Sequence, residues 1–171
     1  MFENRVFHVH GLHELGLTKK HVNSALANGG LIRLRRGWYA SRGAPADVVL
    51  AVRRGVRLTC ISAAKHHGLW TPLHHALHVF KVHGRDEQLP RSLVAHPIPT
   101  IRKWPDKNPV APLDLALLHA GRCLPVPQAA ILFESAVNRG RLRLSDALTI
   151  IHELPNHRSA QLSRINPKAE S

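Results

Sequence analysis

Cysteine is scarce in this sequence. The 171 residues include only two, Cys60 and Cys123, which stand far apart and outside any Cys-x-x-Cys pair. A disulfide framework is therefore not expected, and two isolated thiols are typical of a protein from the reducing cytoplasm. We accordingly expect a cytoplasmic protein.

Long apolar runs are also lacking. No stretch approaches the roughly 20 consecutive apolar residues that cross a bilayer. The first residues, Met1 to Arg5, include an acid and lead into histidines, so no signal peptide is expected. Because no stretch combines a basic face with a long apolar face, the sequence also disfavours a membrane partner.

Acidic residues are few. There are 11 Asp and Glu against 24 Lys and Arg, which gives a net charge of +13 with histidine neutral. A surface this basic attracts polyanions, and DNA is the commonest such partner inside a cell. Charge alone does not distinguish DNA from RNA, so the choice depends on the sequence pattern.

The pattern predicts a helix from Thr18 to Asn28. Thr18 is placed to cap its first turn, and Leu17 is placed to pack on Val22 one turn further on. A shorter periodic stretch, His8 to Leu15, precedes it and ends at a glycine. The two segments together predict a helix-turn-helix.

The outer face of the second predicted helix is cationic, amide-bearing or small, with Lys19, Lys20, Asn23, Ser24 and Ala27. Asn and Lys read base edges in a major groove, and small side chains let a helix approach closely. A solvated helix face has a similar composition. Both interpretations of this face stay open on the helix alone.

A hairpin is predicted immediately after the helix. Apolar and basic residues alternate, which places Ile32 and Leu34 on the core side and Arg33 and Arg35 on the opposite face. The chain then turns at Arg36-Gly37 into a second short strand. A hairpin with arginines along one face and at its tip is suited to gripping phosphates beside a groove.

Two aromatic residues, Trp38 and Tyr39, follow the turn. Packing beneath the hairpin is one role, and DNA contact is the other; for Trp38 we favour packing. The predicted DNA-binding residues are Thr18, Lys19, Lys20, Asn23, Ser24, Arg33, Arg35, Arg36, Trp38 and Tyr39.

The rest of the chain predicts a mixed domain. Helices and short strands alternate first, prolines then interrupt the chain, and three helices follow. The predicted elements are helices 46–54, 62–67, 113–120, 127–138 and 144–152, with Ser145-Asp146 capping the last, and strands 57–60, 76–82 and 92–96. The fold class is therefore α+β, with a winged helix-turn-helix at 1–42, an α+β domain ending in helices at 46–160, and a basic flexible tail at 161–171.

Two segments resemble known families. Gly16-Leu17-Thr18-Lys19-Lys20, followed by Gly30 to Ala40, looks like the N-terminal winged-helix domain of AbiEi-type antitoxins. Ser62-Ala63-Ala64-Lys65-His66-His67-Gly68-Leu69 is similar to the middle part of actinobacterial proteins that end in a very-short-patch-repair-like endonuclease domain. The first resemblance implies a type IV toxin–antitoxin protein that represses its own operon and has a cognate toxin as partner. The second implies a relative of these nucleases without the nuclease domain.

No metal, cofactor or catalytic site is expected. The histidine clusters His8-x-His10, His66-His67 and His74-His75-x-x-His78 lack the spacing of known metal motifs. Cys60 is followed by His66 and His67, but no orienting group accompanies them, so a buried cysteine is the better interpretation. The chain is not expected to be an enzyme.

Two hypotheses of function follow. The first is a sequence-specific double-stranded-DNA-binding protein, acting as a transcriptional repressor or as an antitoxin that regulates its own operon. The alternative is a non-catalytic remnant of a nuclease-domain protein, which targets DNA or interacts with a protein partner. Binding to a defined sequence separates the first hypothesis from the second.

Overall fold

The structure is a computed structural model that describes residues 5–81, 90–97 and 107–164. These residues form a mixed α+β fold with eight helices and two three-stranded sheets. Within this part of the chain, no helix is long and apolar enough to cross a membrane. Most of the predicted basic tail, from residue 165 onward, lies outside the described residues, as does Val82 of the strand predicted at 76–82.

The first sheet contains β1 (Val6–His8), β2 (Leu31–Arg35) and β3 (Trp38–Ser41). Its order is β1-β3-β2, and both pairings are antiparallel. The predicted hairpin is therefore present as β2 and β3. The edge strand β1 was not predicted, because three residues are too few to show a periodic pattern.

Two helices pack on one face of this sheet, α1 (Val9–Glu14) and α2 (Lys19–Ala27). The predicted helix 18–28 matches α2 together with its two capping residues. Leu12, Val22 and Leu31 are buried in a small core between the helices and the sheet, and Leu17 packs against it as predicted. The core fixes the orientation of α2, so the opposite face of that helix points to solvent.

Helix α3 (Ala46–Arg53) packs against the same sheet through different residues. Leu34 and Trp38 lie against a cluster of buried side chains that includes Val48 and Val52 from α3 and Val56 from the following strand. Residues on both sides of the predicted domain boundary at 42–46 thus contribute to one hydrophobic core.

The second sheet contains β4 (Val56–Leu58), β5 (Leu77–Lys81) and β6 (Leu93–His96), in that order. Strand β5 runs antiparallel to β4 and parallel to β6. Helix α4 (Cys60–His66) follows β4 directly and packs against β5 and against the next helix, α5 (Leu113–Cys123).

The C-terminal half is helical. After α5 (Leu113–Cys123), the chain forms α6 (Val126–Asn138), α7 (Leu144–His152) and α8 (Asn156–Leu162) around a core that includes Leu132 and Phe133. The three predicted helices are present as α5, α6 and α7, and α8 is a fourth that was not predicted. The predicted cap was wrong. Helix α7 begins one residue before Ser145, its capping residue is Arg143, and no side chain caps it.

Candidate functional site

The outer face of α2 is exposed, as its predicted role requires. Lys19, Lys20, Asn23 and Ser24 are all exposed, whereas Val22 between them is buried. This alternation follows the helical period, since only one face of the helix contacts the core. The four side chains therefore form one polar, cationic surface.

The start of α2 is fixed by a reciprocal pair of hydrogen bonds. The backbone N–H of His21 donates to Thr18 Oγ1 at 3.4 Å, and the backbone N–H of Thr18 donates to His21 Nδ1 at 3.2 Å. A histidine thus takes the place that glutamate or glutamine usually occupies in a capping box. Thr18, predicted as a DNA-binding residue, has a structural role at this helix end.

A β-bulge separates the arginines of the hairpin. Arg33 lies opposite Tyr39, but Arg35 lies opposite Trp38, because the register shifts between them. Tyr39 packs on the core beneath α1 and α2, whereas Trp38 packs on the cluster that contains α3. The prediction that both arginines share one face was wrong, since an extra residue in a strand reverses the side-chain alternation.

Ile32 is not a core residue. It is 43% exposed, whereas its neighbour Leu31 is 2% exposed. Both faces of the sheet carry helices, so the buried positions do not follow a single alternation. Ile32 lies beside Leu50 and Arg53 at the edge of α3.

The two aromatic residues are half-buried. The rings of His8 and Trp38 are in an edge-type contact with 5.0 Å between their centroids, and Arg57 Cζ lies 5.7 Å from the Trp38 ring centroid. Tyr39 packs against the core of α1 and α2. Both residues therefore make packing contacts within the fold.

Three arginines line a cleft between the hairpin and β4. The cleft has a volume of about 200 Å³, and Trp38 and residues near Gly55 complete its lining with Arg35, Arg36 and Arg57. Gly55 has φ of +72° and lies against the Arg35 guanidinium, so a side chain there would collide with it. The glycine thus lets the Arg35 guanidinium approach the α3–β4 turn closely.

The surroundings of these residues are strongly basic. Between Arg5 and Arg42 there are seven Lys and Arg residues and one acid, Glu14. Charges of one sign on a helix face and an adjacent hairpin add to a field that attracts an extended polyanion.

Several members of the histidine clusters in the sequence have partners within the protein. His66 Nε2 lies 2.8 Å from Asp47 Oδ2, and His67 Nε2 lies 2.7 Å from the Ala111 carbonyl oxygen. His8 stacks on His10 with 5.1 Å between centroids. Partial burial, followed by the charges of His10, Lys107 and Arg57, lowers the pKa of His8.

One group of side chains was not predicted from the sequence. Cys60, His78, His96 and Cys123 come together, with their ligand atoms all within 4.8 Å of one another; the first three are buried and Cys123 is exposed. The four residues are widely separated in sequence, so no short sequence motif identifies them. The Cys–His pair of Cys60 with His66 or His67, which the sequence analysis disfavoured, does not form. Cys60 and His78 stood out in the sequence separately, but no spacing pattern connects them with His96 and Cys123.

Comparisons with known proteins give little further information. No protein-family model matches the chain, and no curated protein is significantly similar to it. Among solved structures, the RV2827C protein from Mycobacterium tuberculosis matches with 16% identity and a TM-score of 0.41. The match covers 92% of this chain and 70% of that one. A similarity at this level supports no conclusion about function.

Proposed function

We propose that the protein binds duplex DNA sequence-specifically through a winged helix-turn-helix at its N-terminus, as a transcriptional repressor or as an antitoxin that regulates its own operon. The observation that carries the proposal is the exposed cationic face of α2 beside an arginine-bearing hairpin from the same small sheet. In this proposal α2 is the recognition helix, and the β2–β3 hairpin is the wing.

The composition of the α2 face fits a major groove. Asn23 is central on the exposed face and offers both a donor and an acceptor, which matches the edge of adenine. Lys19 and Lys20 at the start of the helix are placed for phosphate or guanine. Ser24 and Ala27 are small and exposed, so the helix backbone can approach the bases closely.

The tip of the hairpin is held firmly, as a wing requires. Gly37 has φ of +78°, and its carbonyl oxygen accepts a 2.8 Å hydrogen bond from the backbone N–H of Val9 at the start of α1. A side chain at Gly37 would crowd His8. Arg36 beside it is therefore presented from a fixed turn, which reduces the entropy lost when it contacts a phosphate.

The antitoxin part of the proposal rests on the sequence resemblance to AbiEi-type proteins. In that family the winged helix binds the operator of the antitoxin's own operon, and a toxin is the protein partner. The proposal carries this over to the segments that resemble the family, Gly16 to Lys20 and Gly30 to Ala40.

Two exposed apolar side chains favour a protein partner. They therefore support the alternative function, that of an interaction protein derived from a nuclease relative. After α4, Trp70 is 55% exposed and Leu73 is 97% exposed. The backbone N–H of Trp70 donates to Ser135 Oγ at 2.8 Å, so the loop is anchored to α6. Exposed aromatic and aliphatic side chains on an anchored loop are common at interfaces.

The test is selection of bound sequences from a random duplex library with the full chain. The repressor proposal expects one enriched motif, bound on the order of 10³-fold more tightly than random duplex. The interaction-protein alternative expects retention without enrichment. Failure to retain duplex DNA even at low salt would overturn DNA binding itself.

A further inference from the structure

Four potential metal ligands meet at a single point between the second sheet and the helices. They are Cys60, His78, His96 and Cys123, and their ligand atoms lie within 4.8 Å of one another. His78 Nδ1 lies 3.1 Å from His96 Nε2, and Cys123 Sγ lies 3.8 Å from His78 Nδ1. In a tetrahedral site with Zn–N near 2.0 Å and Zn–S near 2.3 Å, neighbouring ligand atoms are about 3.3–3.8 Å apart. The observed spacing is close to this range.

Each ligand comes from a different element of the fold. Cys60 begins α4, His78 lies in β5, His96 lies in the adjacent parallel strand β6, and Cys123 ends α5. His78 pairs with Val94, so His96 is its diagonal neighbour on the same face of the sheet. The convergence thus depends on the tertiary fold rather than on a local turn.

The backbone at Cys60 is unusual. It has φ of +53°, and among the described residues other than glycine it is the only one with a positive φ. The left-handed region is unfavourable for a side chain with a Cβ, and such residues cluster at functional sites. The thiol of this residue, at the start of α4, lies within 4.8 Å of the ligand atoms of both histidines.

A surrounding layer of contacts orients the ligands. His96 stacks on His119 with 4.9 Å between centroids, and His119 is itself bound by Thr59 Oγ1 at 2.7 Å and by the Pro97 carbonyl oxygen at 3.0 Å. The backbone N–H of His78 donates to Ser62 Oγ at 2.9 Å. Supporting contacts of this kind are typical around metal ligands.

We propose that Cys60, His78, His96 and Cys123 form a structural zinc site. Two thiolates and two imidazoles in tetrahedral arrangement are the donor set that zinc prefers, and four protein ligands leave no open position for catalysis. The two thiolates balance the charge of the ion. Cys60, His78 and His96 are buried and Cys123 is exposed, so the ion has an entry path from solvent at the end of α5.

The site joins the second sheet to the helical half. Zinc held by all four residues would cross-link β5 and β6 to α4 and α5, and binding to the folded chain alone would stabilise it. This inference goes beyond DNA binding and does not rest on it, since no ligand belongs to the α2 face or the hairpin.

The test is the metal content of the full chain, produced without a histidine tag in zinc-supplemented medium and purified under reducing conditions. We expect about one zinc per chain, and less than about a tenth of that in Cys123→Ser and His96→Gln. His75→Gln is the matched control, because His75 is exposed and outside the group. It should keep the full zinc content.

A second measurement separates loss of zinc from loss of folding. Cobalt should replace zinc and give the thiolate-to-cobalt charge-transfer absorption of a tetrahedral site in the wild type and His75→Gln. A chelator should lower the Tm of the wild type and leave that of Cys123→Ser unchanged. If Cys123→Ser does not fold, the wild-type zinc content, cobalt spectrum and chelator effect still decide the question.

Several outcomes would overturn the proposal. These are zinc well below one per chain in the reduced wild type, equal zinc in the wild type and His96→Gln, or iron or copper in place of zinc. A disulfide between Cys60 and Cys123 in the freshly isolated protein would also overturn it, because the oxidised sulfurs no longer bind a metal as thiolates.

Discussion

Arg57 lies over the indole ring of Trp38, with 5.7 Å between its Cζ and the ring centroid. The contact joins β4 of the second sheet to β3 of the first. It also covers a face of the indole, so Trp38 contributes to the junction between the sheets. A guanidinium over an indole is worth about 0.5–1 kcal/mol at a partly exposed site.

The first prediction concerns this pair. Trp38→Leu should lower the free energy of unfolding by about 1–3 kcal/mol, since it removes a large half-buried side chain. A double-mutant cycle with Arg57→Met should give a coupling of about 0.5–1 kcal/mol by urea denaturation. Trp70→Leu is the control, because Trp70 is 55% exposed. A coupling near zero would contradict a stabilising contact.

The second prediction concerns recognition by α2. Asn23→Ala should weaken binding to the selected sequence by about 1–3 kcal/mol and leave binding to random duplex unchanged, because a bidentate contact to adenine is lost. Asn28→Ala is the control at the capping residue that follows α2, since the Asn28 amide oxygen already accepts a 3.0 Å hydrogen bond from the backbone N–H of Gly30. Equal losses on both DNAs for Asn23→Ala would exclude α2 as the recognition helix.

The third prediction separates the hairpin arginines by salt dependence. Six or so phosphate contacts should give a slope of about −5 in log affinity against log salt, and Arg33→Ala and Arg35→Ala should each make it about one unit shallower on every sequence. The structure adds a difference between them. Both side chains are exposed, but Arg35 also packs against Gly55, so Arg35→Ala should alter the unfolding free energy, whereas Arg33→Ala should not. An unchanged slope in both variants would argue against phosphate contacts by the hairpin.

The fourth prediction concerns acid stability. Burial raises the pKa of Asp47, but the hydrogen bond and charge of His66 and the backbone N–H of Val48 outweigh it, so the pKa lies below its usual value. The folded chain then binds fewer protons than the unfolded chain in the acid range. The stabilisation is present above about pH 4 and is lost as the pH falls through the folded pKa.

Asp47→Asn should therefore reduce stability at neutral pH by less than about 1 kcal/mol, because the pair is partly exposed. The difference from the wild type should vanish in acid. Unfolding curves measured at several pH values check this, with exposed Asp146→Asn as the control. A stability difference between the wild type and Asp47→Asn that grows on acidification would contradict a lowered pKa of Asp47.

The fifth prediction is the absence of nuclease activity. Among residues 5–81, 90–97 and 107–164, the group of three or more side chains close enough to share an ion contains no carboxylate. Two-metal hydrolysis requires carboxylates that hold ions about 4 Å apart. Purified protein should leave supercoiled plasmid intact with magnesium or manganese. Nicking that scales with protein and is lost in Glu134→Gln would contradict this.

Sequence patterns predicted those elements that carry their own local signals. Thr18 with Leu17 and Val22 defines α2, because the cap and the packing partner lie within a few residues of each other. The bulge that turns Arg35 away from Arg33 has no such signal, since it arises from pairing with β3. Strand β1 and helix α8 were missed because they are short and owe their stability to partners elsewhere in the chain.

The same distinction applies to the functional residues. Exposure of Lys19, Lys20 and Asn23 follows from helical periodicity, so their common face was predictable. The meeting of Cys60 with His96 depends on how α4, β5 and β6 assemble, which no spacing rule encodes. Tertiary convergence of this kind becomes visible only in the folded chain.

The core shared by the two sheets has a thermodynamic consequence. Val6, Leu34 and Trp38 of the first sheet pack against the buried cluster that contains Val48 and Leu58. The N-terminal elements therefore do not bury all of their apolar side chains by themselves. Loss of either part exposes apolar surface on the other, and the two should melt as one cooperative unit. Any ligand that binds α2 then protects the backbone amides of β4 and β5 from hydrogen exchange, although it never touches them.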